Sequence, residues 1–99
     1  MIDRIAKNEE RLDNLLESIK ELELSLKKFE SNKKNLYLLN KYYGSKNWFN
    51  DKEALEKGYI KAKAGVLSED AVWNMNEDIK DLILEMKSII SSYDKEKIR

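Results

Sequence analysis

From Ile5 onward the apolar residues fall at 5, 12, 15, 19, 22, 26 and 29, and the steps alternate between three and four once Asn8 fills its slot. Only an α-helix brings residues at that spacing onto one stripe, in the a/d pattern of a coiled-coil seam. From Ile5 to Phe29 such a helix rises about 36 Å at about 1.5 Å per residue. Leu16 widens the stripe and Leu24 lies on the opposite side. A second seam runs through Val72, Met75, Ile79, Leu82, Met86, Ile89 and Tyr93, with Trp73, Ile83 and Ile90 at its edges. The chain has no proline to interrupt either helix, and 38% of its residues are charged, enough to solvate the remaining faces. Two lone stripes of this size would expose too much apolar surface, so the simplest arrangement pairs them antiparallel. If Phe29 faces Val72, facing residue numbers sum to about 100, with Leu15 near Met86 and Leu22 near Ile79.

The middle of the chain is of a different kind. Ser31-Asn32-Lys33-Lys34-Asn35 has no apolar member and poor helix propensity, which predicts a break after the first helix. Leu36, Leu39 and Tyr43 return to helical spacing, and Gly44 can close that helix in the left-handed conformation. Ser45 is placed to cap a short helix holding Trp48, Phe49 and Leu55, and Gly58 and Gly65 bracket a loop. Ser68 is a good N-cap for the last helix, with Glu69 and Asp70 at the positive end of its dipole. The expected fold is a single all-α domain, an antiparallel two-helix coiled-coil hairpin with a smaller helical head formed by the middle segment. Its long helices span about 2–30 and 69–92 and its head about 33–64.

Tyr42-Tyr43-Gly44-Ser45, Trp48, Asp51 and then Gly65-Val66-Leu67-Ser68-Glu69-Asp70 resemble a family of small bacterial helical proteins known only as a domain of unknown function. The resemblance covers nearly the whole chain, and the hexapeptide 65–70 is its most specific part. The chain departs from the family pattern before Gly65, where Tyr59-Ile60 stands in place of a Leu-Pro turn. The resemblance implies a fold and no activity.

Catalytic apparatus is absent from the sequence. There is no cysteine and no histidine, so a serine nucleophile would need a lysine base, and no Ser-x-x-Lys motif sits in a recognisable setting. Glu9, Glu10 and Asp13 share a helical turn, as do Glu77, Asp78, Asp81 and Glu85, but carboxylate di-metal bundles add Glu-x-x-His motifs. Those carboxylates fall mostly off the apolar seams and read as solvated faces. Ser68 is explained as a cap, and Gly65 belongs to no phosphate-loop pattern. The expectation is a non-enzymatic protein with no cofactor and no metal. Met1-Ile2-Asp3-Arg4 lacks the apolar stretch of a signal peptide, and the longest apolar run, Leu36-Tyr37-Leu38-Leu39, is far too short for a bilayer. A cytoplasmic protein without membrane association is expected.

Charge is the uneven feature. The chain is neutral overall. Residues 32–64 nevertheless hold eight lysines against Asp51, Glu53 and Glu56, which is +5, while 1–31 carry −2 and 65–99 carry −3. Six of the nine aromatic residues lie in the same middle segment. Trp48 and Tyr43 read as the small core of the head, with an interface anchor as the alternative. Lys41, Tyr42, Lys46, Phe49, Lys57, Tyr59, Lys61 and Lys63 are the candidate partner contacts. Aromatics anchor protein interfaces, and lysines would meet a partner's acidic surface. The expected function is therefore protein binding, of the adapter, immunity or inhibitor type, with a phage or bacterial-defence setting suggested by small size and lack of chemistry. The surplus apolar width calls either for the middle segment to fold back as a third layer or for a homodimer, and the homodimer is the favoured of the two. Nucleic-acid binding by the basic, aromatic segment is the rival reading, disfavoured by having three arginines against sixteen lysines.

Overall fold

The computed structural model describes residues 1–61 and 63–96. All regular structure among them is helical: α1 (Ile2–Ser31), α2 (Lys33–Tyr42), α3 (Lys46–Glu56), a 3-10 turn (Gly65–Leu67) and α4 (Ala71–Glu96). The chain divides into two units, Met1–Leu39 and a second beginning at Asn40.

In the first unit α1 runs unbroken for 30 residues and buries no side chain. Leu15 and Leu22 are 61% and 58% exposed along its stripe. The expected break is real but confined to one residue. Asn32 takes φ −94 and ψ 1, and its N–H returns to the Phe29 carbonyl at 3.0 Å. Its side-chain amide donates to the Lys28 carbonyl at 3.0 Å, and the Ser31 hydroxyl donates to the same oxygen at 2.7 Å. Short polar side chains here compete for backbone acceptors and end the helix. The Asn32 carbonyl then accepts from Leu36 at 3.0 Å, so α2 starts at once.

The second unit is built by turn chemistry. Gly44 has φ 78, a conformation that favours glycine, and Ser45 N–H closes on the Tyr42 carbonyl at 2.9 Å. The Ser45 hydroxyl oxygen accepts from Trp48 N–H at 3.2 Å and caps α3. The far end of α3 is a Schellman motif. Tyr59 N–H reaches the Ala54 carbonyl at 2.9 Å, Gly58 N–H reaches Leu55 at 3.0 Å, and Gly58 takes φ 76. The described residues between Gly58 and Gly65 form no helix, as expected of a loop. Ser68 is the cap of α4: its oxygen accepts from Ala71 N–H at 3.1 Å and its hydroxyl donates to the Gly65 carbonyl at 2.8 Å. Regular helix begins at Ala71 rather than Glu69, and runs to Glu96, past the expected end at Ser92.

Among the described residues the buried side chains are Trp48, Leu67 and Val72, at 4%, 6% and 3% exposure. The head is therefore not made by the middle segment alone, because two of these three core members come from the 3-10 turn and the first turn of α4. Within this unit the end of α2 meets α4 antiparallel. The Asn40 and Asn76 side-chain amides bond reciprocally at 3.2 and 2.7 Å, and the Tyr43 hydroxyl donates to the Glu69 carbonyl at 2.8 Å. As one number rises the other falls.

Candidate functional site

Trp48 organises the head through four contacts of three kinds. Its indole N–H donates to the Val66 carbonyl at 2.9 Å. The Tyr43 and Phe49 rings stand edge-on to it, with centroids 5.3 and 4.9 Å away. The Lys52 ammonium lies 5.2 Å from its ring centroid, within cation–π range. Lys52 also pairs with Glu69 at 2.9 Å, tying α3 to the start of α4. The indole has an apolar body to bury and one polar atom to satisfy, and the head supplies both needs. Core placement of Trp48 is thus observed, and half-buried Tyr43 supports it from the turn that follows α2.

The Lys52–Glu69 pair shapes the pH response of this unit. The ammonium hydrogen bond holds the Glu69 carboxyl below its ordinary value, and the same bond raises Lys52 above its own. The contribution through Glu69 is complete above the ordinary glutamate value of about 4.3 and is lost as pH falls through the depressed folded value. The contribution through Lys52 is complete below about 10.4 and is lost as pH rises through the raised one. The Tyr42 phenol, raised mainly because it donates to Asp51 at 2.6 Å, adds to the alkaline loss. Glu69→Gln should therefore lower Tm relative to the parent at pH 7, and the two melting curves should converge in strong acid. A difference independent of pH would show that the bridge carries none of the stability. The effect will be modest, because the Glu69 end of the pair is largely exposed to solvent.

The eight candidate contacts differ in what already engages them. Tyr42 is half-buried, and its hydroxyl is already engaged by Asp51, so it acts as an internal strut between α2 and α3. Phe49 is exposed on its outer side and packs its other edge on Trp48. Lys57 is paired with Glu53 at 2.7 Å. Lys57 and Tyr59 do come together, lining an open depression of about 270 Å³ with Asn50, Glu53 and Ala54. Lys41, Lys46, Lys61 and Lys63 are exposed. Lys52, which the charge count did not separate from the other lysines, is the one that engages the core.

Apolar residues also lie exposed along the long helices. Along α1 every seam residue is exposed, and along α4 Leu82, Met86, Ile89 and Tyr93 are exposed as well. Periodicity revealed these stripes but not that they stand uncovered. Among the described residues no group of acidic side chains is placed to hold a metal ion, and no helix is long and apolar enough to cross a membrane.

These features define a small all-helical protein with an aromatic-centred head, an exposed seam along α1 and exposed seam residues in the second half of α4. The chain belongs to the family described as a domain of unknown function (DUF4298), whose family model matches residues 5–89. No curated protein and no solved structure matches the chain. The match spans every motif residue from Tyr42 to Asp70. Most of those side chains serve the fold. Ser45 and Ser68 cap helices, Gly44 turns the chain, and Tyr43, Trp48 and Glu69 hold the head together.

Proposed function

We propose that this chain is a non-enzymatic protein-binding module, of the adapter, immunity or inhibitor type, in which the head is scaffold and the helix stripes are the docking faces. The observation that supports this reading is the absence of any buried side chain on α1, despite seven apolar residues at coiled-coil spacing. An apolar stripe of that length calls for a protein cover. The exposed lysines 41, 46, 61 and 63 would steer a partner with an acidic surface toward the second unit, acting on association rate more than on affinity.

Affinity capture from the native host tests the reading, using the parent chain, the seam variant Leu15→Glu/Leu22→Glu and the loop variant Lys61→Glu/Lys63→Glu. Protein retained by the parent at low and high salt, lost by the seam variant and bound more slowly by the loop variant is the expected result. Retention of nucleic acid that collapses with salt and with the lysine reversals would establish the rival reading, since released counterions make such binding steeply salt-dependent. Retention that neither variant changes would sink the docking assignment.

A further inference from the structure

The stripe of α1 carries more information than its apolarity. In heptad terms Ile5, Leu12, Ile19 and Leu26 occupy a, and Asn8, Leu15, Leu22 and Phe29 occupy d. The flanking g positions are Arg4, Arg11, Ser18 and Ser25, and the e positions are Glu9, Leu16, Glu23 and Glu30. We infer that the occupant of this stripe is α1 of a second copy of the chain, aligned parallel and in register as a two-stranded coiled coil. The inference rests on the reading of the stripes as protein-docking faces and names the partner for one of them.

Charge decides the orientation. In a parallel pair each g residue faces the e residue five positions later on the other helix. That sets Arg4 against Glu9 of the second copy on both flanks, lays the Arg11 stem over Leu16, and leaves Glu23 and Glu30 beside serines. An antiparallel pair opposes e with e. At full overlap it would place Glu9 against Glu23 twice, which is repulsive. The seam agrees with the charges. β-Branched residues at a with leucine at d favour two parallel strands, as at Ile5, Leu15, Ile19 and Leu22. Asn8, the polar seam position, meets its own counterpart in the parallel pair but Leu26 in the antiparallel one. Its amide donates to the Arg4 carbonyl at 2.8 Å and accepts from Arg11 at 3.1 Å, and in the parallel pair its second N–H can be met by the amide oxygen of the facing Asn8.

The area suffices. Seven roughly half-exposed seam side chains offer on the order of 100 Å² each, so a pair would bury on the order of 1,400 Å², inside the range of about 1,200–2,000 Å² typical of stable interfaces.

The chain has no native cysteine, so single-cysteine variants of the full chain report geometry directly. Light scattering after size exclusion should give twice the 11.7 kDa chain mass, and Leu15→Glu/Leu22→Glu should return it to the monomer while retaining the near-ultraviolet signal of the head. Ile5→Cys alone, and Phe29→Cys alone, should each oxidise to a linked dimer. Linkage only in a mixture of the two variants would demonstrate the antiparallel pair and overturn the inference. A monomer at high concentration would overturn it too. In that case a foreign protein still captured through the seam would preserve the docking reading, whereas capture insensitive to the seam variant would end both.

Discussion

Trp48→Ala should unfold the head. Removing a buried indole costs about 3–5 kcal/mol through lost transfer energy and the cavity left behind. The whole stability of an ordinary small domain is about 5–15 kcal/mol, and a unit of this size sits near the lower end. At 4% exposure Trp48 is one of three buried side chains among the described residues, so no second layer remains to hold the turn against α3. The same change removes the donor to the Val66 carbonyl and the ring surface under Lys52. Trp48→Phe separates these effects, because it keeps most of the apolar body and loses a hydrogen bond worth about 0.5–1.5 kcal/mol. Thermal melts and amide exchange around residues 66–74 would read both variants. A Trp48→Ala chain within about 1 kcal/mol of the parent, altered only in partner binding, would make the ring an anchor rather than a core.

The contrast between Trp48 and Lys52 shows what the sequence could disclose. Helix periods, the caps at Ser45 and Ser68 and the turn at Gly44 are local, set by residues within three or four positions of each other, and the structure bears them out. Trp48 is legible as core because a short segment with few apolar residues must bury its largest one. The contacts that assemble the head join residues far apart in sequence. Trp48 bonds to Val66, Lys52 to Glu69 and Asn40 to Asn76. Nothing in a row of eight lysines distinguishes the one that will reach a carboxylate 17 positions away. Tyr42 is a similar case: its hydrogen bond to Asp51, one helix later, cannot be read from the lysines beside it. The seams present the converse case. Their period fixes which residues share a face, but the cover belongs to tertiary or quaternary structure and leaves no trace in the spacing.

Leu67→Ala and Leu22→Ala form a pair whose difference locates the apolar stabilisation. Leu67 is 6% exposed in the 3-10 turn, packed in the small core with Trp48 and Val72, and its truncation should cost about 2–5 kcal/mol. For a unit of this size each kcal/mol shifts Tm by roughly 4–8 °C, and the loss should be the same at every protein concentration. Leu22 is 58% exposed on α1, so in the isolated chain its truncation should fall within about 0.5 kcal/mol, as exposed substitutions do. Where copies associate through α1, however, the folded state is stabilised by mass action. The penalty for Leu22→Ala should then grow as concentration rises through the dimer range, while that for Leu67→Ala stays flat. Melts of both variants across a hundredfold dilution series would show the divergence. If Leu22→Ala is as costly as Leu67→Ala even at the lowest concentration, the stripe is covered within one chain, and the hairpin between the long helices, not a second copy, holds it.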